Sequence, residues 1–400
     1  MRIRNGRILA PGAVLHGHEL VVAEGRIRAL RRPGADGGAL LDAQGLWVAP
    51  GLIDLHVHGA LGCDVMDATP AALTTMARHF AQCGITAWLP TTMSASPPAI
   101  AAALANVAAC PQPADGAQHL GLHIEGPYLN PAWRGAQATD ALRLPDPQEY
   151  SPWLRSGAVR LITLAPELPG ADRLIDAGRR QGVEFAIGHS GADYETVLAA
   201  AARGLRQATH VCNGMAGLHH RRPGTLGAVL DEDRILAQLI GDGLHVHPAV
   251  MRLLLRAKGR ERVLLISDAM RATGLGDGQF ESGGQTVTVR AGEARTPDGA
   301  LAGSTLTLDE MLRCVMQHCR LALAQALPLA SAVPAAALGL TGRKGVLQPG
   351  ADADLILLDD AARLRLTMVA GRVVYDARYQ GDAGCRQAGE DVNRSERTGR

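Results

Sequence analysis

Lysine is almost missing from this chain: of 40 basic residues only Lys258 and Lys344 are lysine, the rest being arginine. A charge excess is missing too, since 40 basic residues face 39 acidic ones for a formal net charge of +1. A grip on nucleic acid or on an anionic membrane needs a clustered basic surplus, so neither partner is expected. The seven cysteines form no Cys-x-x-Cys pair and no regular framework, which makes reduced thiols the expectation. Met1 to Gly6 open into an alternating segment with no apolar run or cleavage site behind them, so export is not expected and a cytoplasmic location is. The most apolar long stretch, 321–340, is broken by Gln325, Pro328, Ser331 and Pro334, and reads as two short packed helices instead of a membrane span. No glycine-rich dinucleotide fingerprint is present, and Gly188-His189-Ser190-Gly191 fails the spacing of a serine nucleophile.

What is present is globular material, 400 residues long and 47% hydrophobic, enough for one large domain and a smaller one. The first fifty residues carry short β-type runs, such as Glu19–Ala23 and Arg26–Leu30 across a Glu24-Gly25 turn. The theme returns at Leu355–Leu358, Thr367–Val369 and Arg372–Tyr375. Neither end holds enough apolar residues to fold alone, so 1–50 and 345–378 are expected to pair as one discontinuous β-sandwich domain. Between them, apolar runs alternate with helical patterns eight times, at Leu52–His58, Ile85–Thr91, Leu120–Glu125, Val159–Ala165, Glu184–His189, Gln207–His210, Ala237–Gly241 and Val263–Asp268. Eight βα units at about 30 residues each predict an α/β fold, a (β/α)8 TIM-like barrel over 51–344. An insertion is placed at about 274–303, with a turn at Pro297–Ala300 and a mobile loop at the Gly274–Gly278 cluster, and the polar segment 381–400 is expected to be disordered.

The ionisable residues are not scattered. His56 and His58 end the first run, Glu125 the third, His189 the fifth, His210 the sixth and Asp268 the eighth. Alternate residues of a strand face the same way, so His56 and His58 share a face with α-carbons about 6.6 Å apart. In a barrel of this type all those ends meet at one rim. Imidazole and carboxylate together predict a divalent-metal site of one or two ions, zinc expected first, with iron, manganese or cobalt also suited. Neither lysine lies at a strand end, so a carboxylated lysine bridge is excluded and Glu125 is the candidate bridge. Asp268 is the candidate general base and acid. His123, two residues before Glu125, is assigned to orienting a ligand. Cys212 stands beside His210 without a further histidine and acid, and is read as a packing residue.

The motifs Pro50–Gly59, Gly62, Met66–Thr69, His123–Asn130, Gly188–Ser190, Thr209–Met215, Asp242–His245 and Ser267–Ala269 resemble those of the N-acetylglucosamine-6-phosphate deacetylases of the amidohydrolase superfamily, over the chain up to Asp376. The resemblance implies hydrolysis of the acetamide of a phosphorylated N-acetyl amino sugar. It implies Glu125, His189 and His210 as core metal ligands, with His56 and His58 added, and Asp268 as catalytic base and acid. Asn213, Gly214 and Arg221 match phosphate-binding positions, where an arginine fork suits phosphate oxygens. Asp242, His245, Leu301, Ala302 and Gly303 match sugar-contacting positions, and a homodimer with active sites completed across its interface is implied. Gln137 follows Gly135-Ala136 where the family usually has histidine; that implies weaker oxyanion support or a shifted sugar preference. Other readings are an N-acetylgalactosamine-6-phosphate deacetylase, a deacylase of another amide, or a noncatalytic scaffold.

Overall fold

Eight parallel strands form the centre of the computed structural model, which describes residues 1–34 and 37–378. They are β1 (Leu52–Val57), β2 (Ile85–Thr92), β3 (Leu122–Glu125), β4 (Val159–Leu164), β5 (Glu184–Ile187), β6 (Gln207–Ala208), β7 (Leu236–Ile240) and β8 (Val263–Ile266). Each pairs in parallel with the next. Their sequences are near-continuous apolar runs because both faces are covered, by helices outside and by packed side chains within. Closure is made past the last ladder pairs: the Asp268 N–H donates to the His56 carbonyl at 3.0 Å, and the His58 N–H to the Ala269 carbonyl at 2.8 Å.

The outer helices start where local chemistry dictates. α1 (Pro70–Gln82) opens with proline in its first turn, and the Thr69 side chain accepts the Ala72 N–H; Asp146 and Asp193 do the same for α3 (Pro147–Arg155) and α5 (Tyr194–Arg203). α2 (Pro97–Ala109), α4 (Ala171–Arg180), α6 (Gly224–Asp231), α7 (Pro248–Lys258) and α8 (Leu308–Cys319) complete the ring, α8 with a Thr307/Glu310 capping box. The 321–340 stretch forms short helices at Leu323–Ala326 and Ala332–Ala337 joined by a 3-10 turn. Among the described residues no single helix is long and apolar enough to cross a membrane.

Both chain ends build the second layer. One sheet holds Arg2–Arg4, Glu19–Ala23, Arg26–Arg31 and Leu40–Asp42. The other joins Ala13–Leu15, Arg7–Ala10 and Trp47–Pro50 edge to edge with Leu355–Leu358, Leu364–Val369 and Arg372–Asp376, the two halves meeting where Trp47–Pro50 pairs with Leu355–Leu358. Ile3, Leu20, Ile27, Val48, Leu357 and Leu366 are buried between them. Trp47–Pro50 lies beside Leu355–Leu358 on one flank and Arg7–Ala10 on the other, then runs into β1. After β8, Gly278–Ser282, Gln285–Arg290 and Glu293–Arg295 form a small antiparallel sheet within the insertion; the Gly274–Gly278 cluster leads into it, and a turn follows it at Pro297 and Asp298. The tail expected at 381–400 lies outside the described residues.

Candidate metal centre

The carboxyl ends of the strands deliver the predicted ligands to one point. His56 lies in β1 and Glu125 ends β3; His58, His189, His210 and Asp268 stand just beyond β1, β5, β6 and β8. The backbone at His189, His210 and Asp268 is left-handed, with φ of 49°, 29° and 50°. Non-glycine residues in that region store of order 1–3 kcal/mol each and cluster at functional sites. Here the turn out of each strand aims the side chain back across the barrel axis.

Glu125 is the hub. Its Oε1 lies 3.1 Å from the Nε2 atoms of both His189 and His210, and its Oε2 lies 3.3 Å from His58 Nε2. His56 and His58 face each other Nε2 to Nε2 at 3.0 Å, and His189 and His210 do so at 3.1 Å. Asp268 Oδ1 is 3.2 Å from His58 Nε2 and 3.4 Å from His56 Nε2. Two triads result, His56–His58–Glu125 and Glu125–His189–His210, each with ligand atoms within 4.8 Å of one another.

The outer nitrogens decide what those inner nitrogens are. His58 Nδ1 meets the Thr91 carbonyl at 3.1 Å, His189 Nδ1 the Trp133 carbonyl at 3.0 Å, and His210 Nδ1 the Asn213 carbonyl at 3.2 Å. A carbonyl only accepts, so each Nδ1 donates and each Nε2 is the nitrogen left to face the cage, the atom that a metal ion would take in place of a proton. Burial alone would raise the carboxyls of Glu125 and Asp268, but the imidazoles around them, His56 foremost, hold both well below the usual carboxylate range. Burial would likewise lower His58, yet Asp268 and Glu125 hold it well above its ordinary value. The cage therefore favours positive charge beside two buried carboxylates. A divalent cation answers that demand with ligands of the right type, so the residues fit such an ion.

Beneath the cage, burial and the His56 charge keep His123 well below its ordinary pKa and hence neutral. Its Nδ1 donates to the Leu55 carbonyl at 3.1 Å, which leaves Nε2 to accept the Thr163 hydroxyl at 2.8 Å; Thr163 in turn meets Thr209 at 2.7 Å. His123 thus holds strands and touches no ligand oxygen. The Asp54 Oδ1 accepts the N–H groups of His56 and Ser267, both at 3.2 Å, and burial pushes its carboxyl up to about 6. Burial also pushes the Cys212 thiol up to about 11, so a thiolate nucleophile is not available there.

Above the cage opens a cavity of about 370 Å³. Ala136, Gln137, Asn213, Gly214, His245, Leu301, Ala302 and Gly303 line it together with His58, Glu125, His189, His210 and Asp268. Asp242 stands behind His245, with Oδ2 2.7 Å from Nδ1, and accepts the N–H groups of Leu244 and His245 at 2.9 Å. Both ends of the Gln137 amide are engaged, by the Ser94 N–H and by Glu125 Oε2. Arg221 is not at this cavity. It lies on an exposed loop, Nη1 2.8 Å from His220 Nε2, and lines a neighbouring cavity with Trp133 and Asp193. Sequence reading missed Thr91, whose backbone carbonyl orients His58, because a main-chain contact leaves no side-chain signal. It also missed Arg295, which reaches the cavity from the inserted sheet.

A closed barrel with imidazole and carboxylate converging at its carboxyl rim, built to hold a cation, defines a metal-dependent barrel hydrolase. Residues 47–374 match the model of the amidohydrolase family. The chain is 43% identical over 331 residues to an N-acetylglucosamine-6-phosphate deacetylase of Vibrio furnissii, covering 82% of this chain and 83% of that one. It is 38% identical over 374 residues to an N-acetylgalactosamine-6-phosphate deacetylase of Escherichia coli O157:H7, covering 93% and 98%. The crystal structure of N-acetylglucosamine-6-phosphate deacetylase from Pasteurella multocida superposes with a TM-score of 0.89 at 29% identity, over 93% of this chain and 98% of that one. The chain belongs to the amidohydrolase family, in the branch that holds the N-acetylglucosamine-6-phosphate deacetylases.

Proposed function

We propose that this chain is a divalent-metal-dependent deacetylase in amino-sugar catabolism that converts N-acetyl-D-glucosamine 6-phosphate and water to D-glucosamine 6-phosphate and acetate. The observation that carries the chemistry is the Glu125-centred pair of triads with Asp268 at its edge. Glu125, His189 and His210 would hold one ion and His56 and His58 would contribute to a second, zinc being the expected metal. Bound there, the metal supplies Lewis acidity, which polarises the amide carbonyl and brings water within reach of deprotonation near neutral pH. Asp268, kept ionised, takes the proton of the attacking water as its oxygen adds to the acetyl carbon. It returns that proton to the amide nitrogen as the carbon–nitrogen bond breaks, and acetate and the amine leave. Asn213 and Gly214 bind the sugar phosphate with Arg221 of a second copy in a cytoplasmic homodimer. Asp242 steadies His245 against the sugar, beside Ala136 and Leu301–Gly303. Phosphate binding far from the reacting amide fixes its position at the cage, where orientation lowers the barrier.

The second reading is the galacto epimer of the same substrate, favoured by the Escherichia coli relative, which matches nearly end to end. Acetate release from N-acetylglucosamine and N-acetylgalactosamine, each with and without the 6-phosphate, tests both. Fastest turnover of the phosphorylated gluco sugar is expected; faster turnover of the galacto sugar establishes the second reading, and preference for an unphosphorylated amide sinks both.

A further inference from the structure

We infer that Gln137 sets the metal stoichiometry of this site, fixing the Glu125 carboxylate so that the Glu125–His189–His210 triad binds one ion tightly and the His56–His58–Glu125 triad binds a second one weakly. The inference rests on the reading that both triads are cation sites.

The orientation of the amide is dictated by its neighbours. The Ser94 N–H lies 2.8 Å from Gln137 Oε1, and a backbone N–H only donates, so this end is the oxygen. The NH2 end therefore faces Glu125 and donates to Oε2 at 2.7 Å. Gln137 is 3% exposed, and its loop is pinned from both sides. Its own N–H donates to the Arg134 carbonyl at 3.0 Å, Arg134 Nη1 donates to the Gln137 carbonyl at 3.1 Å, and Gln285 Nε2 donates to the Ala136 carbonyl at 2.8 Å.

The consequence falls unequally on the two oxygens. Oε1 faces His189 and His210 at 3.1 Å, with His56 farther off at 3.6 Å, and carries no amide donor, so its lone pairs are available to the first ion. Oε2, the oxygen nearer His58, carries a charge-assisted N–H that withdraws density and occupies one of its lone pairs. A carboxylate shared end to end between two cations gives one oxygen to each, and here only Oε1 is free of an amide donor. Altering a group that hydrogen-bonds a ligand moves metal affinity by about 10- to 100-fold, ordinarily as a loss, so a gain at the second site is what distinguishes a donor that competes for Oε2 from an ordinary supporting contact.

Titrating metal-free full-length protein with Zn2+ by calorimetry tests this, with circular dichroism as the fold control. Wild type is expected to bind one equivalent tightly and a second at least about tenfold more weakly. Gln137→Leu removes the donor, and Gln137→Glu keeps the acceptor for Ser94 while replacing the donor with a carboxylate. In whichever variant retains the fold, the second equivalent should tighten by about tenfold or more with the first little changed. Two equally tight sites in wild type, or unchanged affinities in the folded variants, overturn the inference while leaving the site reading intact. No Zn2+ bound by wild type defeats the site reading itself.

Discussion

At the scale of single residues, Asp268 and His245 carry separable tasks. Replacing Asp268 with Asn removes the proton acceptor while keeping its shape, and should lower kcat by about 10²- to 10⁴-fold. Metal analysis of the same variant should find its content unchanged; loss of metal would make Asp268 a ligand first. For His245, burial works downward, but ionised Asp242 outweighs it and raises the imidazole above its ordinary value; burial pushes Asp242 up, and His245 brings it below its own. A raised histidine contributes its full stabilisation below about pH 6.5 and loses it as the pH rises through the folded value. A depressed aspartate contributes above about pH 3.9 and loses its share as the pH falls through the folded value. The pair is thus worth most between about pH 4 and 6.5, so Asp242→Asn should lower the urea midpoint more there than at about pH 8.5. A loss independent of pH would mean that Asp242 acts only by accepting the Leu244 and His245 N–H groups. Most residues of the site were legible because a ligand must be of a few types and must sit at a strand end. Gln137 was legible as a departure but not in its partner, since nothing in sequence spacing brings it to Glu125.

At the scale of elements, the seam between β1 and β8 is where the barrel closes and where the site is most exposed to error. No ladder pair joins these two strands within their spans; Asp54 Oδ1 bridges them by accepting from His56 and Ser267. Asp54→Ala strands two buried N–H groups and should cost about 2–4 kcal/mol in denaturant unfolding, while Asp54→Asn, which retains the acceptor, should recover most of it. Equal losses in the two variants would argue against the bridge. The eight barrel strands were readable because strands covered on both faces must be apolar throughout. Their ends were less so: His189, His210 and Asp268, expected to finish strands, stand two residues beyond Ile187, Ala208 and Ile266 in left-handed turns. The inserted sheet escaped notice because its strands are half exposed. Only Phe280, Val287, Val289 and Ala294 mark its packed face, among glycines and threonines that read as loop.

At the scale of the whole molecule, Arg221 is the residue out of place. It does not line the cavity that holds Asn213 and Gly214, so in the proposed dimer it would serve the site of the second copy. Arg221→Ala should raise KM for the phosphorylated substrate about 10- to 100-fold, the loss of a charge-assisted contact, and barely change that for the unphosphorylated amide. Gel filtration or sedimentation should report a dimer, and a monomer with full activity would refute the shared site. The pairing of both chain ends was foreseeable because neither holds a core of its own; which strands would meet was not, since short half-buried runs carry little register information. That junction bears on how the protein is made. Trp47–Pro50, the root of the strand bearing His56, has Arg7–Ala10 on one flank but lacks its second neighbour until residue 355 has left the ribosome. At about 5–20 residues per second that is a wait of roughly 15–60 s. The strand of His56 is thus among the earliest segments to emerge and is anchored on one flank by one of the last, so a prematurely terminated chain should be an inactive chaperone client and not a partly working enzyme.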